Sequence, residues 1–401
     1  MCECCGHSSN KKFVFYIIAI VLGVVCGLSN IEILHQIGKC CSEIFIKIFK
    51  CISMPVISLS VIVALSTYGA EKSMNKVWKK TLKYTFGTTL VAACISALLY
   101  IFISPNNAGL SFDSNLENSI TTDYLKYLLD IIPDNIFGAF VEHKLLTVLL
   151  ISVIIGISAR SIKQTEAKNA VLSFFNGLHS IFFNITKFIV KVLPIGLFGF
   201  ITVSVLDLKN GMSAHGMGKY FLVIILSNLV QGLIILPLWL MSKKINPFSM
   251  FKSMFSALSV AFFSKSSSGA LPITMEAMES KLGVKKEISR FVLPLCTTIN
   301  MNGCAAFIFT TVIYIMQNYG IDINYSTILT WIIIATIAAI GNAGIPMGCF
   351  FLSASLLSSM NIPMPLLGMI LPVYSVLDML ETSLNVWSDS CVTVAVSKSK
   401  D

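Results

Sequence analysis

Three acidic residues near the end of the chain lie inside a stretch that is otherwise apolar. Asp378, Glu381 and Asp389 are accompanied there by Thr382 and Asn385. Their spacing of i, i+3/i+4, i+7 and i+11 predicts that all five lie on one stripe of a helix. A carboxylate at membrane depth costs about 2.5–3.5 kcal/mol, so the stripe requires cations: metal ions, a substrate ammonium group or a basic side chain. The alternative is a merely structural helix that faces a water-filled groove.

The composition places this stripe in a membrane protein. Hydrophobic residues make up 55% of the 401 residues and charged residues 12%, against roughly 25% charged residues in soluble domains. The mean hydropathy is +0.80. The net charge of +9 is interpreted as topological, since Lys and Arg accumulate in cytoplasmic loops. The sequence has no basic stripe with interleaved aromatic residues, so nothing in it indicates nucleic-acid binding.

Cysteine usage predicts no disulfide framework. Several of the 12 cysteines lie in apolar segments, where cysteine behaves as a small hydrophobic residue: Cys26, Cys94, Cys296, Cys304 and Cys391. A second group, at the start of the chain, has the close spacing of a metal clip: Cys2, Cys4, Cys5 and His7. A disordered terminus with reduced thiols is the favoured interpretation of that group.

The distribution of Lys and Arg predicts the membrane topology. Residues 13–28 are apolar and follow Lys11 and Lys12, as in a signal peptide, but no small-residue cleavage pattern comes after them. We therefore predict a retained first span that starts in the cytoplasm. Further apolar stretches lie at about 44–68, 84–103, 145–157, 174–205 and 220–241. The fifth span contains Pro194, where a break is expected. Successive connecting loops are alternately rich and poor in Lys and Arg, in agreement with a cytoplasmic start.

After residue 244 the pattern changes to interrupted apolar segments. Residues 249–274 have basic flanks on both sides, whereas residues 326–360 have none. We therefore predict two re-entrant hairpins that enter from opposite sides, each followed by a span, of which the first is broken at 297–303. This inverted repeat is typical of secondary transporters. Gly- and Pro-induced kinks in ordinary spans are the alternative.

The predicted hairpin tips and the broken span suit an amino acid and a cation. A Ser- and Gly-rich turn that opens a helix presents free N–H groups to a carboxylate. Unwound residues 300–303 free carbonyl oxygens, which form an oxygen set for Na⁺ with Asn385 and Asp389. Asp378 can then receive an ammonium group. Together these groups describe an amino acid site coupled to a cation.

The same residues resemble those of the dicarboxylate/amino acid:cation symporters, the glutamate-transporter-like family. The resemblance rests on Ser266–Gly269, Asn300–Gly303, Gly341–Pro346 and the acidic stripe. It covers essentially the whole chain. It implies an all-α polytopic membrane protein with eight transmembrane helices and two re-entrant helical hairpins.

The resemblance also implies a homotrimeric elevator transporter. Residues 1–78 and 106–218 would form its scaffold, and residues 79–105 and 219–401 its mobile transport domain. The expected location is the plasma membrane, or the inner membrane of a Gram-negative cell, with both termini cytoplasmic. No cofactor is expected besides Na⁺ as coupling ion, and no enzymatic activity.

Site residues carry over from the family motifs position by position. The resemblance assigns Asp378 to the substrate amino group and Asn385, with the first-hairpin serines, to its carboxylate. The substrate-binding set is Ser266, Ser267, Ser268, Cys304, Gly344, Ile345, Asp378, Glu381, Thr382 and Asn385. The Na⁺ set is Thr88, Thr89, Thr298, Asn300, Asn302, Ala339, Asn342, Asn385 and Asp389. Lys265 and Pro346 would act in gating, with Lys265 also forming a charge pair.

Departures from the family pattern bear on the substrate. Glu381 stands where members that carry acidic substrates have an arginine, so dicarboxylate transport is disfavoured and the serine/threonine branch is favoured. If Lys265 neutralises Glu381, the pocket suits a small neutral amino acid; without that pair, Glu381 could select a cationic one. Asn302 and Tyr374 replace acids of other members, which predicts fewer coupled ions.

Two other classes of function are weighed against the Na⁺-coupled symporter. An anion channel is disfavoured because two gates around a central site indicate alternating access. An intramembrane enzyme with Ser266 as nucleophile and Lys265 as base is disfavoured because neighbours on a turn rarely reach proton-transfer distance. The residues leave open which amino acid is carried, how many ions accompany it and whether H⁺ replaces Na⁺.

Overall fold

The computed structural model describes residues 4–67, 75–105, 132–142, 144–209, 216–342, 347–360 and 362–398. These residues form helices and short connections, with no strand among them. The helices are α1 Cys4–Leu28, α2 Glu32–Thr67, α3 Asn75–Ile103, α4 Ile136–Val141, α5 Leu145–Arg160, α6 Thr165–Lys209, α7 Met217–Val230, a π-helical segment Gln231–Ile235, α8 Leu236–Ser242, α9 Pro247–Ser264, α10 Ser267–Ser280, α11 Lys286–Ile299, α12 Asn302–Asn318, α13 Tyr325–Ile340, α14 Gly348–Ser359 and α15 Pro365–Lys398.

Several of these helices are long and apolar enough to cross a membrane. Among the described residues, three segments qualify: Lys76–Ile103, Met217–Ser242 and Lys286–Asn318. Two bent pairs, in α6 and α15, raise the number to five if each pair is one span. Several shorter apolar helices accompany them. The eight spans and two re-entrant hairpins therefore stay a prediction.

Some helices extend beyond the predicted apolar stretches. The terminus that was expected to be disordered is helical from Cys4 onward, as part of α1. The predicted break at Pro194 is a bend: α6 runs continuously, and its parts Thr165–Thr186 and Lys191–Val203 meet at 51°. The bend lies just before the proline because its ring clashes with the carbonyl group four residues earlier.

The helices pack in two groups. In the first group, α6 packs along α1 and α2, and α2 also packs on α5. The second group surrounds α12, which contacts α3, α7, α13, α14 and α15. Nearly every residue of α12 is buried, as expected for a helix that is apolar on all sides. The acidic stripe on α15 faces this central helix.

Three interruptions bring helix ends to the side of α15. Between α9 and α10, Lys265 adopts a left-handed conformation with φ of 52°, and Ser266 caps α10. Between α11 and α12, Asn300 and Met301 leave the helical conformation. Helix α13 ends at Ile340, and Met347, whose φ is 61°, precedes the first residue of α14. We call α9–α10 hairpin 1 and α13–α14 hairpin 2. Helix ends carry unpaired backbone groups, so these interruptions expose polar groups inside an apolar body.

Candidate substrate and cation site

The stripe on α15 is buried along its length. Asp378 is 8% exposed, and Glu381 and Asp389 are 1% and 2% exposed. Thr382 and Asn385 are buried beside them. The predicted alignment on one helix is therefore confirmed, and the three carboxyl groups lie in surroundings where an isolated charge is costly.

A small cavity lies where the interruptions meet α15. It is lined by Lys265, Ser267, Met301, Cys304, Asn342, Asp378, Thr382 and Asn385. These residues come from hairpin 1, the broken helix, the end of α13 and α15. Seven of them belong to the predicted set, and Met301 was missed. Gly344, Ile345 and Pro346 lie outside the described residues.

The tip of hairpin 1 gives its three serines different positions. The Ser266 hydroxyl oxygen accepts the Gly269 N–H at 3.0 Å, so this side chain caps α10. Ser267 is buried and lines the cavity, whereas Ser268 is exposed. Ser267 is thus the one of the three that the structure places in the cavity wall, together with the N-terminal end of α10.

Lys265 does not pair with Glu381 as hypothesised. Its ammonium group donates to the Ser375 hydroxyl at 2.6 Å, one turn before Asp378. Neither carboxylate oxygen of Glu381 has a hydrogen-bond partner among the described residues. The left-handed conformation at Lys265 directs its side chain to the earlier turn of α15, which explains the difference.

A polar network joins α3, the broken helix and α15 at the predicted cation residues. The Asn300 side-chain oxygen accepts from the Thr88 hydroxyl at 3.1 Å and from the Asn302 amide at 3.2 Å. The Asn300 amide in turn donates to Asp389 and to the Ser388 hydroxyl, both at 2.9 Å. Thr88, Asn300, Asn302 and Asp389 are therefore brought together as predicted, with Ser388 as an additional member.

Gln231 also belongs to this network and was missed. It lies in the π-helical segment and donates to the Asn302 oxygen at 3.0 Å and the Thr88 carbonyl at 3.1 Å. π-Helical turns are rare and frequent at functional sites. A glutamine in the middle of an apolar span was the signal that could have found it. The Gln231 amide thus occupies the side-chain oxygen of Asn302 as well as the Thr88 carbonyl.

The remaining predicted cation residues are less directly connected. Thr89 is buried, and its hydroxyl has no partner among the described residues. The Thr298 hydroxyl donates to the carbonyl groups of Pro294 and Leu295 in its own helix. Ala339 is fully buried on α13. Asn342 donates to the sulfur of Cys304 at 2.8 Å and that of Met301 at 3.8 Å, so it contacts the cavity side.

Asn385 connects α15 to the start of α12. Its side-chain oxygen accepts the Gly303 N–H at 2.9 Å, which satisfies one of the free donors of that helix end. Gly303 allows this approach because a Cβ atom there would lie 2.8 Å from the Glu381 Cα and 3.0 Å from the Asn228 side-chain oxygen. The glycine thus sets the distance between the broken helix and the acidic stripe.

We expect Gly303→Ala to push α12 away from α15. Overpacking in a close-packed core costs about 1–3 kcal/mol, so the thermal unfolding midpoint should fall and amino acid uptake should be lost. Gly87→Ala is the control, since nothing lies within 4 Å of a Cβ atom at that position. Equal midpoints and equal uptake for the two variants would contradict this account of the packing.

Cys304 and Cys349 form a disulfide, contrary to the expectation that cysteines in apolar segments act only as hydrophobic residues. Cys304 lies at the start of α12 and Cys349 at the start of α14, with their Cα atoms 5.3 Å apart. The two interruptions bring these residues together over 45 positions of sequence, a proximity that no local pattern encodes. Seven other cysteines are free: Cys26, Cys40, Cys41, Cys51, Cys94, Cys296 and Cys391.

Comparison with known proteins agrees with the geometry. The family model described as the sodium:dicarboxylate symporter family matches residues 13–399. Excitatory amino acid transporter 2 of Mus musculus is 27% identical over 97% of this chain and 79% of its own length. Neutral amino acid transporter B(0) of Bos taurus is 25% identical over 95% and 79%.

A bacterial relative is covered more completely. The proton/sodium-glutamate symport protein of Bacillus caldotenax is 28% identical over 95% of this chain and 92% of its own length. All three relatives are transporters by name, and none is an enzyme. Because the family match extends over nearly every residue, from the first helix to the end of α15, the chain belongs to the sodium:dicarboxylate symporter family.

Proposed function

We propose that this protein carries a small neutral amino acid, serine or threonine, into the cell together with Na⁺ by alternating access. It belongs to the sodium:dicarboxylate symporter family, and its relatives include a neutral amino acid transporter and a proton/sodium-glutamate symport protein, which supports a multi-pass membrane transporter that couples an amino acid to Na⁺. The observation that carries the finer proposal is the cavity in which Asp378 faces groups from both hairpins and the broken helix.

The cavity offers complementary groups to an α-amino acid. Asp378 holds the substrate ammonium group. The carboxylate lies against the N-terminal end of α10, where Ser267 and the free N–H groups favour an anion. Thr382 and Asn385 supply hydroxyl and amide partners on the same wall. A small side chain then points towards Cys304 and Met301, which are buried and only weakly polar.

An acidic substrate side chain fits this lining poorly. Among the described residues of the cavity wall, Lys265 is the only basic one, and its ammonium group donates to the Ser375 hydroxyl. Behind Cys304 lies the carboxyl group of Glu381, within 4.8 Å of the Cys304 sulfur. A side-chain carboxylate would meet this like charge, which disfavours glutamate and aspartate.

The network around Asn300 is the proposed cation site. Hard monovalent cations take oxygen ligands from carboxylates, amides and hydroxyls, and broken transporter helices supply them. Asp389 provides the one carboxylate of this network among the described residues. Asn302 is tied to Gln231, and Tyr374 packs its ring 4.8 Å from that of Phe307. Asn302 and Tyr374 stand where other family members have acids, and the loss of these two charges supports a smaller number of coupled ions.

Alternating access follows from the interruptions. Hairpin 1 and hairpin 2 each contribute to one wall of the cavity, so withdrawal of either would open it to one side. The second packing group would form the mobile transport domain, residues 79–105 and 219–401, and the first group the scaffold of a homotrimer. The plasma membrane with both termini cytoplasmic is the proposed location.

An enzymatic role finds no support at the hairpin tip. The Ser266 hydroxyl oxygen is engaged in capping α10, and Lys265 donates to the Ser375 hydroxyl. A serine nucleophile needs a base within about 2.6–3.2 Å. The tip is instead built to present a helix end to the cavity.

One observation favours a second candidate substrate. Glu381 has no hydrogen-bond partner among the described residues, and a lysine or arginine side chain that passes Cys304 would supply the missing cation. A competition panel separates the two candidates: uptake of radiolabelled serine into proteoliposomes, with each of the twenty amino acids in excess. We expect threonine and serine to compete and lysine not to. Strong competition by lysine and arginine, with none by threonine, would favour the second candidate.

We expect Glu381→Arg to weaken serine uptake and to let aspartate compete at least about tenfold more strongly. A factor of ten in affinity corresponds to about 1.4 kcal/mol of added charge complementarity. The guanidinium group would hold a side-chain carboxylate beside Cys304. Glu381→Gln is the control, since it removes the negative charge without adding a positive one. Serine uptake that is unchanged in the arginine variant, without a gain for aspartate, would place residue 381 beyond the reach of the substrate.

A further inference from the structure

Three side chains with metal-binding atoms lie together beside the cavity. Cys304 is on α12, Cys349 on α14 and Glu381 on α15, and their sulfur and carboxylate atoms all lie within 4.8 Å of one another. All three residues are at most 2% exposed. The cluster therefore joins three elements at a point that is closed to bulk solvent, while Cys304 also lines the cavity.

Glu381 provides an independent sign that this cluster lacks a ligand. Both of its carboxylate oxygens are buried without a hydrogen-bond partner among the described residues. A buried acid without a partner is strongly unfavourable. The nearest basic residue of the cavity, Lys265, donates to Ser375. The position calls for a cation that the contacts among the described residues do not provide.

The donor set selects a soft cation. Two thiolate sulfurs and one carboxylate oxygen suit Zn²⁺ or Cd²⁺, whereas Na⁺ prefers oxygen ligands throughout. Asn342 forms an outer contact, since its amide donates to the Cys304 sulfur at 2.8 Å and the Cys349 sulfur at 3.5 Å. Such outer donors orient metal ligands and stabilise their negative charge.

We propose that Cys304 and Cys349, in their reduced state, bind a soft divalent cation together with Glu381, and that the bound cation arrests transport. The ion joins the start of hairpin 2's second helix to α12 and α15. A hairpin fixed in this way cannot withdraw from the cavity. The arrest rests on the proposed transport function, whereas the binding itself does not.

The oxidation state of the two cysteines controls the site. In the disulfide the sulfur atoms bond to each other, and no thiolate is available. A phosphine reductant supplies two electrons, and water supplies two protons and the oxygen of the phosphine oxide, which leaves two thiols. Each thiol then releases its proton to solvent as the metal–sulfur bond forms. The oxidised protein is therefore a control within the same chain.

Cd²⁺ titration of the purified full-length protein tests the binding. The background carries Cys2→Ser, Cys4→Ser and Cys5→Ser, which removes the cluster at the start of the chain. After phosphine reduction, we expect the ultraviolet charge-transfer absorption of Cd²⁺–thiolate bonds to saturate at one ion per chain. Cys349→Ala should lower the affinity by about 100-fold or more, since even outer-contact changes cost about 10–100-fold. Cys94→Ala, which removes a free cysteine elsewhere on α3, should bind Cd²⁺ like the parent.

The outcomes are distinct. No absorption in the reduced parent, or equal absorption in the parent and Cys349→Ala, overturns the site, provided that both elute as folded protein. Absorption that persists after oxidation with diamide overturns the role of the thiols. Binding without inhibition of serine uptake overturns the arrest. If no variant transports any amino acid but Cd²⁺ still saturates the site, the proposed function fails and the metal site stands.

Discussion

Replacement of Asp378 by asparagine is expected to reduce amino acid uptake by about 100-fold or more. The substrate ammonium group would lose its counter-charge in a cavity where, among the described residues, the other charged side chain is Lys265. Removing one partner of a buried charge pair costs about 3–5 kcal/mol, and each 1.4 kcal/mol is a factor of ten in affinity. The measurement is initial-rate uptake of radiolabelled serine into proteoliposomes under an inward Na⁺ gradient.

The asparagine variant keeps the size of the side chain, so folding should be retained. Asp322→Asn changes an exposed aspartate by the same chemistry and should transport like the parent. Substrate affinity can be measured separately through protection against thermal unfolding, since a ligand that binds the folded state stabilises it more the further its concentration exceeds Kd. Serine uptake and serine protection at parental levels in Asp378→Asn would defeat the assignment of the ammonium site.

Replacement of Asp389 by asparagine is expected to weaken Na⁺ binding strongly. Asp389 is 2% exposed and accepts from Asn300 at 2.9 Å, so its charge is held within the oxygen network. With that charge removed, a bound Na⁺ would lack its buried counter-charge, as the ammonium group does in Asp378→Asn. The half-saturating Na⁺ concentration should therefore rise by about 100-fold. Uptake rates measured over a Na⁺ series at fixed serine concentration provide the test.

Other changes to the same network provide the contrast. Ser388→Ala removes a hydroxyl that accepts from Asn300 and Asn302 but leaves the charge, so its effect on Na⁺ dependence should be smaller. The asparagine variant at 389 still has an oxygen that can accept from Asn300, which separates the effect of charge from that of hydrogen bonding. A Na⁺ series in which Asp389→Asn overlays the parent would show that Na⁺ binds elsewhere.

The helix breaks and the acidic stripe on α15 were predicted from residue types and their spacing along the sequence. Small and polar residues at Ser266–Gly269 and at Asn300–Gly303 interrupt apolar segments, and the helices end at those points. The acids of α15 follow helical spacing, so their alignment needed no tertiary information. The distribution of positive charge outlined the order of the segments. These features depend on neighbours in sequence, which is why they could be read from it.

Contacts between distant elements could not be predicted in the same way. Gln231 reaches Asn302 only because a π-helical turn rotates its side chain inward. Cys304 and Cys349 meet because two separate interruptions face each other. Lys265 was expected near Glu381, but the conformation at the hairpin tip directs it to Ser375. In each case the backbone path between elements decides the partner, and residue type alone does not.

The central claim, that Asp378 holds an amino acid whose entry is driven by Na⁺, is tested most directly by accumulation in sealed proteoliposomes. Radiolabelled serine is supplied outside with an inward Na⁺ gradient, and the same vesicles are measured after a Na⁺ ionophore has collapsed it. We expect serine to accumulate above its outside concentration only while the gradient lasts, and not at all with Asp378→Asn. Failure of every one of the twenty amino acids to accumulate under the gradient, in vesicles shown to contain folded protein, would contradict the account.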